Sequence, residues 1–226
     1  MRWARLIAVT LVATGGWVST AAAQPASAIP GRLELGAGLQ WTGAQPLGSR
    51  DANLTTGTGS TLRLFGSTSD LRPVAGFEDR VGVKLSRAIE AEVLASYATP
   101  QLRTRVSNDT ENSSGATVSE SVQQYNVGAG VTWYPPTKSS VRARPFVTAG
   151  ASYLRQLHEG AALVATGQTY YVGGGAKVLL ALRPRKGLKV VGIRLDARAV
   201  VRTKGITFDG RRSISPAIEA SLFTRF

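Results

Sequence analysis

The chain has 226 residues, with 27 Lys or Arg against 14 Asp or Glu, one histidine and no cysteine. The missing thiols exclude disulfides, thiol catalysis, zinc–thiolate sites and a lipidated N-terminal cysteine. A net charge of +13 suits nucleic acid at first sight, but the basic residues are scattered over strands and turns of an exported chain, so no nucleic-acid partner is expected.

Export is read from the first residues. Arg2 and Arg5 precede an apolar run over 6–18, and Ala21-Ala22-Ala23 supplies small residues for cleavage. This pattern predicts a signal peptide over 1–23, a short lead over 24–30 beginning at Gln24, and one folded domain over 31–226. The apolar run is well short of the ~20 residues a spanning helix needs. No later stretch of the sequence reads as a transmembrane helix. Taking Arg2 and Arg5 from the 27 basic residues leaves 25 against 14 acidic, a net +11.

Eight segments alternate between the two faces of a strand, because successive side chains point to opposite sides. The first, 32–42, sets Leu33, Leu35, Ala37, Leu39 and Trp41 against Glu34, Gly36, Gly38 and Gln40. The second, 77–86, sets Val81, Val83 and Leu85 against Glu78, Arg80, Gly82 and Lys84. The third, 89–98, sets Ile89, Ala91, Val93, Ala95 and Tyr97 against Glu90, Glu92 and Ser96. The fourth, 123–134, sets Tyr125, Val127, Ala129, Val131 and Trp133 against Asn126, Gly128, Gly130 and Thr132.

The later half repeats the pattern. Segment 145–154 sets Val147, Ala149, Ala151 and Tyr153 against Thr148, Gly150 and Ser152. Segment 169–182 sets Tyr170, Val172, Ala176, Val178 and Leu180 against Tyr171, Gly173, Gly175 and Lys177. Segment 188–202 sets Val191, Ile193, Leu195, Ala197, Ala199 and Val201 against Gly192, Arg194, Asp196 and Arg198. Segment 213–226 sets Ile218, Ala220, Leu222, Thr224 and Phe226 against Glu219, Ser221, Phe223 and Arg225.

Charges fall almost wholly on one face, the reverse of a soluble barrel, whose apolar face turns inward. Lipid outside and polar groups inside is the transmembrane pattern, and an even number of strands closes without an edge. The expected fold is all-β, an eight-stranded antiparallel up-and-down transmembrane β-barrel. Long connections at 43–72, 100–122, 155–168 and 203–212 alternate with short ones at 87–88, 135–144 and 183–187. Long loops are expected outside the cell and short turns in the periplasm. The loops over 43–72 and 107–117 read as polar, without a motif that specifies a ligand. Two residues fit poorly. Asp79 falls on the apolar face and calls for a bulge or an early strand end. Pro216 cannot donate to a ladder and belongs only at a rim.

These segments, the Gly-x-Gly pairs (Gly36/Gly38, Gly128/Gly130, Gly173/Gly175) and Phe226 resemble the small outer-membrane barrels of Gram-negative bacteria, the OmpA/OmpX/Opa-type group. The resemblance covers about 31–226. It implies an outer-membrane location, contact with lipid and lipopolysaccharide, and an assembly signal read by the barrel-assembly machinery. Phe226, Leu222, Ala220 and Ile218 match that signal, and Thr224 departs from it. Some barrels of this size are lipid-A deacylases or acyltransferases with a His and a Ser at the rim.

An eight-stranded barrel is just wide enough to be filled by side chains. By parity the lumen receives Glu34, Glu78, Glu90, Glu92, Asp196 and Glu219, and Arg80, Lys84, Lys177, Arg194, Arg198 and Arg225. Six acids against six bases imply pairing, since an isolated buried charge is costly. The expectation is a structural plug, with a narrow channel as the alternative. Inward glycines make room for the long charged side chains.

His158, followed by Glu159, is read as a solvated loop residue. Ser152 is the nearest serine before it, and no His-x-Ser pair is present. No catalytic residue, cofactor or metal is therefore assigned. Trp41, Tyr97, Trp133, Tyr153, Tyr170 and Phe226 lie at strand ends and read as interface girdles. Arg87, Lys138, Arg142, Arg144, Arg183, Arg185, Lys186 and Lys189 cluster at the short-turn end. There they would meet anionic headgroups and cell-wall polymer. Arg202 and Lys204 with Arg211 and Arg212 would meet lipopolysaccharide phosphates. The expected protein is a monomeric, non-enzymatic outer-membrane barrel with an envelope-structural or surface-exposed, adhesin- or antigen-like role.

Overall fold

The computed structural model describes residues 31–108, 115–136, 143–158, 163–182, 187–207, 210 and 212–226. The signal peptide expected over 1–23 and the lead expected over 24–30 lie outside the described residues. In chain order the strands are β1 (Leu33–Thr42), β2 (Gln45–Thr55), β3 (Thr61–Leu71), β4 (Val74–Lys84), β5 (Ile89–Ala98) and β6 (Gln101–Ser107). They continue with β7 (Ala116–Ser121), β8 (Gln123–Trp133), β9 (Ala143–Leu157), β10 (Val164–Leu182), β11 (Val190–Lys204) and β12 (Ser213–Arg225). Eight of them form a closed antiparallel barrel in the order β1-β12-β11-β10-β9-β8-β5-β4, with β4 returning to β1. The chain is thus a closed eight-stranded antiparallel β-barrel with a second sheet beside it.

The seam joins the two sequence ends of the barrel. β1 pairs with β12 from Glu34↔Arg225 to Thr42↔Ala217. It is tied at the base by Arg32 N–H to Phe226 O and Phe226 N–H to Leu33 O, each 2.9 Å. Closure matters because an unpaired backbone group in hydrocarbon costs several kcal/mol. The turn between β4 and β5 is set by Ser86, whose Oγ accepts from the backbone N–H of Ala88 and Ile89.

The wall is apolar along its length. Leu39, Phe77, Val93, Val127, Val172 and Leu222 are all more than half exposed. In an aqueous protein these would be core residues; here they mark the hydrocarbon-facing surface. Asp79 stands on that wall, exposed, without a bulge: β4 runs unbroken past it, opposite Ala37 of β1 and Ala95 of β5. The expected interruption is absent because a one-residue slip would carry Glu78 and Arg80 out of the lumen. Pro216 is accommodated at the upper end of β12. Its carbonyl accepts from Gly43 N–H at 2.8 Å, one residue beyond the last β1 pair, so its missing donor falls where the ladder ends.

The main departure from the sequence reading lies above the barrel. The first two long connections are not loops but strands: β2, β3, β6 and β7 make a separate four-stranded sheet in the order β2-β3-β6-β7. A small apolar core of Leu47, Leu71, Leu102, Val122 and Ile206 sits where these strands leave the barrel rim. β10 is also longer than expected, at 19 residues. It runs roughly 60 Å at ~3.3 Å per residue, about twice a hydrocarbon core of ~30 Å. The β9–β10 hairpin therefore rises beside the upper sheet.

Candidate functional site: the lumen and its mouth

The lumen holds two stacked sets of ion pairs, positioned by strand parity. In the lower set Lys177 Nζ donates to Glu34 Oε1 (2.5 Å) and Glu90 Oε1 (2.9 Å), from β10 to β1 and β5. Arg225 of β12 bonds the remaining oxygens of the same two carboxylates, at 2.6 and 3.0 Å. Tyr134 OH donates to Glu90 Oε2 at 2.8 Å.

In the upper set Glu92 accepts from Arg80 (3.0 Å) and Arg194 (2.6 Å). Asp196 accepts from Arg194 Nε (2.9 Å) and Arg198 Nη2 (3.1 Å). Arg198 also grips Glu78 with both terminal nitrogens, at 3.0 and 2.9 Å. Arg80 and Arg198 both bond Glu219, and Arg80 bonds Glu78. Lys177 lies 3.9 Å from Glu92 and links the two sets. Eleven of the twelve parity-assigned charges thus meet in one network. Lys84 does not: it closes β4 half-buried at the lower rim and forms no ion pair among the described residues.

Aromatic rings fill what the charges leave. Phe146 lies under the Arg194 guanidinium (4.2 Å), and Tyr171 lies 5.3 Å from that of Arg198. The inward glycines make room for these rings as much as for charges. A Cβ at Gly150 would stand 2.5 Å from Tyr171 Cζ, and one at Gly192 would stand 2.5 Å from Phe223 Cζ.

Above the ion pairs is a cavity of about 40 Å³ lined by Gln40, Gln45, Asn126, Tyr171, Arg198 and Arg202, among others. Arg202 corrects the sequence reading, which placed it with the outer loops facing lipopolysaccharide. It points into the lumen from β11 and is 4% exposed. Lys204 and Arg212 are exposed, and Arg211 lies outside the described residues.

His158 is not simply solvated. Its Nδ1 lies 2.9 Å from Glu120 Oε1, so the top of β9 is tied to the edge strand β7. Ser152 is engaged elsewhere, with Thr169 Oγ1 inside the lumen. Glu159 lies outside the described residues.

The basic cluster at the short-turn end is only partly described, since Lys138, Arg142, Arg183, Arg185 and Lys186 lie outside the described residues. Arg87 is exposed, and Lys189 is half-buried beside β12, its N–H bonded to Arg225 O at 2.8 Å. Arg144 is not a turn residue. It lies in β9 opposite Lys177, stacks 4.0 Å over the Tyr134 ring and bonds Arg87 O, so it belongs to the lumen floor.

On the wall, Trp41, Tyr97, Tyr153 and Tyr170 lie toward the upper strand ends, and Trp133 and Phe226 toward the lower. Phe77 and Tyr125, which the girdle reading missed, extend the upper band; Tyr125 packs 4.9 Å from Tyr97. Ile218, Ala220 and Leu222 face outward along β12.

No family model matches the sequence, and no curated protein matches it. Among solved structures the chain is similar to the outer membrane protein OprG from Pseudomonas aeruginosa, at 9% identity and TM-score 0.48, covering 86% of this chain and 95% of that one. It is similar to Neisserial surface protein A at 15% identity and TM-score 0.48, covering 86% and 97%. It is similar to Ail, the attachment invasion locus protein of Yersinia pestis, at 11% identity and TM-score 0.33, covering 86% and 98%. These likenesses carry no weight beside the strand pairing of the chain itself.

Proposed function

We propose that the chain is a non-enzymatic outer-membrane protein whose barrel is an anchor, sealed by ion pairs, and whose contacts are made above the membrane by the four-stranded sheet. The observation that supports this reading is the division of labour between the two sheets. A network of eleven paired charged side chains fills the middle of the barrel lumen. Leu54, Leu62 and Val118 stand more than half exposed on the upper sheet, with Leu54 and Leu62 paired across β2 and β3. Exposed apolar groups and free strand edges outside the membrane suit a protein partner better than a solute pathway.

The test has two arms. Planar bilayer recording on the purified barrel should give no unitary current; reproducible currents would overturn the sealed lumen. Cells displaying the chain should lose surface attachment when 46–70 and 101–121 are replaced by short turns that leave a folded barrel. Unchanged attachment would remove the sheet from the account.

A further inference from the structure

We propose that the lower mouth of the barrel binds a carboxylate-bearing peptide of the cell-wall polymer, held by Lys84, Arg87 and Arg144. In the lumen above, every acid meets a base. The floor is not balanced in this way. The short connections with their flanks, 84–88, 135–144 and 183–189, carry nine bases and no Asp or Glu. Strand pairing brings all three connections to one end of the barrel. Lys84 closes β4 opposite Glu90 of β5, and its N–H bonds Arg32 O at 2.8 Å. Glu90 is already engaged by Lys177 (2.9 Å), Arg225 (3.0 Å) and Tyr134 OH (2.8 Å). The Lys84 amine has no hydrogen-bond partner among the described residues and is not closed to solvent. The strongest charges acting on it are Arg144, Arg225, Glu90 and Arg87, three bases to one acid. Arg144 lies 4.0 Å over the Tyr134 ring and bonds Arg87 O, which ties the β4–β5 turn to the floor.

Like charges gathered at a low-dielectric rim repel one another, and a mouth lined by one sign concentrates the opposite ion. Guanidinium matches carboxylate with paired donors, and ammonium adds a compact charge. The source of the anion follows from the face on which the bases stand. Lys84 shares its face with Arg80 and Gly82, which line the lumen. Arg144 stacks on Tyr134, which is 1% exposed and bonded into the lower ion pairs. Lipid headgroups ring the outer wall, where Phe226 stands exposed. The mouth opens instead to water, and the short-turn end of such a barrel faces the periplasm, whose fixed polyanion is the cell wall. The proposal rests on the barrel standing in the outer membrane and adds a second attachment to the anchor. Lumen currents and adhesion by the upper sheet do not bear on it.

The test is fluorescence anisotropy with a labelled disaccharide–tetrapeptide unit of peptidoglycan, added to the purified chain in phosphatidylcholine nanodiscs, beside the same disaccharide without its peptide. Saturable binding of the peptide-bearing probe alone is expected, falling steeply with salt. Lys84→Gln combined with Arg87→Gln should weaken it roughly tenfold, as loss of charge-assisted hydrogen bonds requires. Lys204→Gln at the upper end should leave it unchanged. Heat-modifiable gel migration shows that each variant keeps its barrel. Should the double variant not fold, Arg87→Gln alone, in the exposed turn, should still weaken binding. No binding of the peptide-bearing probe, equal binding of both probes, or binding unchanged by the floor variants would overturn the proposal. Displacement by glycerophosphoglycerol, a soluble lipid headgroup, as readily as by the unlabelled peptide would also overturn it and give the floor to lipid.

Discussion

β5 alternates Glu90 and Glu92 inward with Ile89, Val93 and Tyr97 outward, while β2 mixes Arg50, Asp51, Asn53 and Leu54 with no such separation. Both are strands of about ten residues in antiparallel sheets. They differ in what surrounds them. β5 has hydrocarbon on one side and ion pairs on the other, so each position admits only one class of side chain. Beyond the buried Leu47, β2 has water within reach of both faces, and the strand tolerates Pro46, Gly48 and two register irregularities. Closure and a sustained period of two are demands of the membrane; the one register irregularity among the described barrel strands, between Leu179 and Ala181, falls near the lower end of β10. The same backbone chemistry in water leaves edges open and faces mixed.

The largest expected effect breaks the inner half of that contrast. Arg198→Met removes the partner shared by Glu78, Asp196 and Glu219 and should cost about 3–5 kcal/mol, as loss of one member of a buried pair does. Urea unfolding followed by heat-modifiable gel migration measures it; an unchanged midpoint would mean the charges do not hold the barrel. Next comes a matched pair on the two sheets. Val93→Arg on the wall should cost about 2–4 kcal/mol in bilayers if it lies near the midplane. Val118→Arg on β7 should stay within about 0.5 kcal/mol, as exposed sites do. Equal costs would erase the distinction between lipid-facing and water-facing strands. The smallest effect has the opposite sign. Asp79→Val, which removes the wall's acid between Ala37 and Ala95, should stabilise the barrel by about 1 kcal/mol, the saving being smaller for an acid than for a base. A loss of stability would give Asp79 a role that the wall alone does not explain.

The barrel was legible in the sequence because two unlike solvents impose a period of two. Parity alone assigned faces to all eight barrel strands. The upper sheet was not legible, since 43–72 is rich in Gly, Ser and Thr and carries no apolar stripe. One signal was there to be read. Thr56-Gly57-Thr58-Gly59 lies between Leu54 and Leu62, and it forms the turn with Thr56 N–H bonded to Ser60 O at 2.8 Å. Arg202 shows a second limit. The segment 188–202 already contained it, and parity from Arg198 turns it inward, but as the last residue of that segment it was grouped with the loop bases. Arg144 was misplaced at the lower end, since strand length beyond the membrane is set by neighbouring strands rather than by local pattern.

Contact between hydrocarbon and the outer wall is tested most directly with a single tryptophan at Val93, the other tryptophans replaced by Phe, in bilayers of lipids brominated deep in their acyl chains. Strong quenching of that fluorescence is the predicted result. Fluorescence indifferent to deep bromine but quenched by iodide in the water would contradict it.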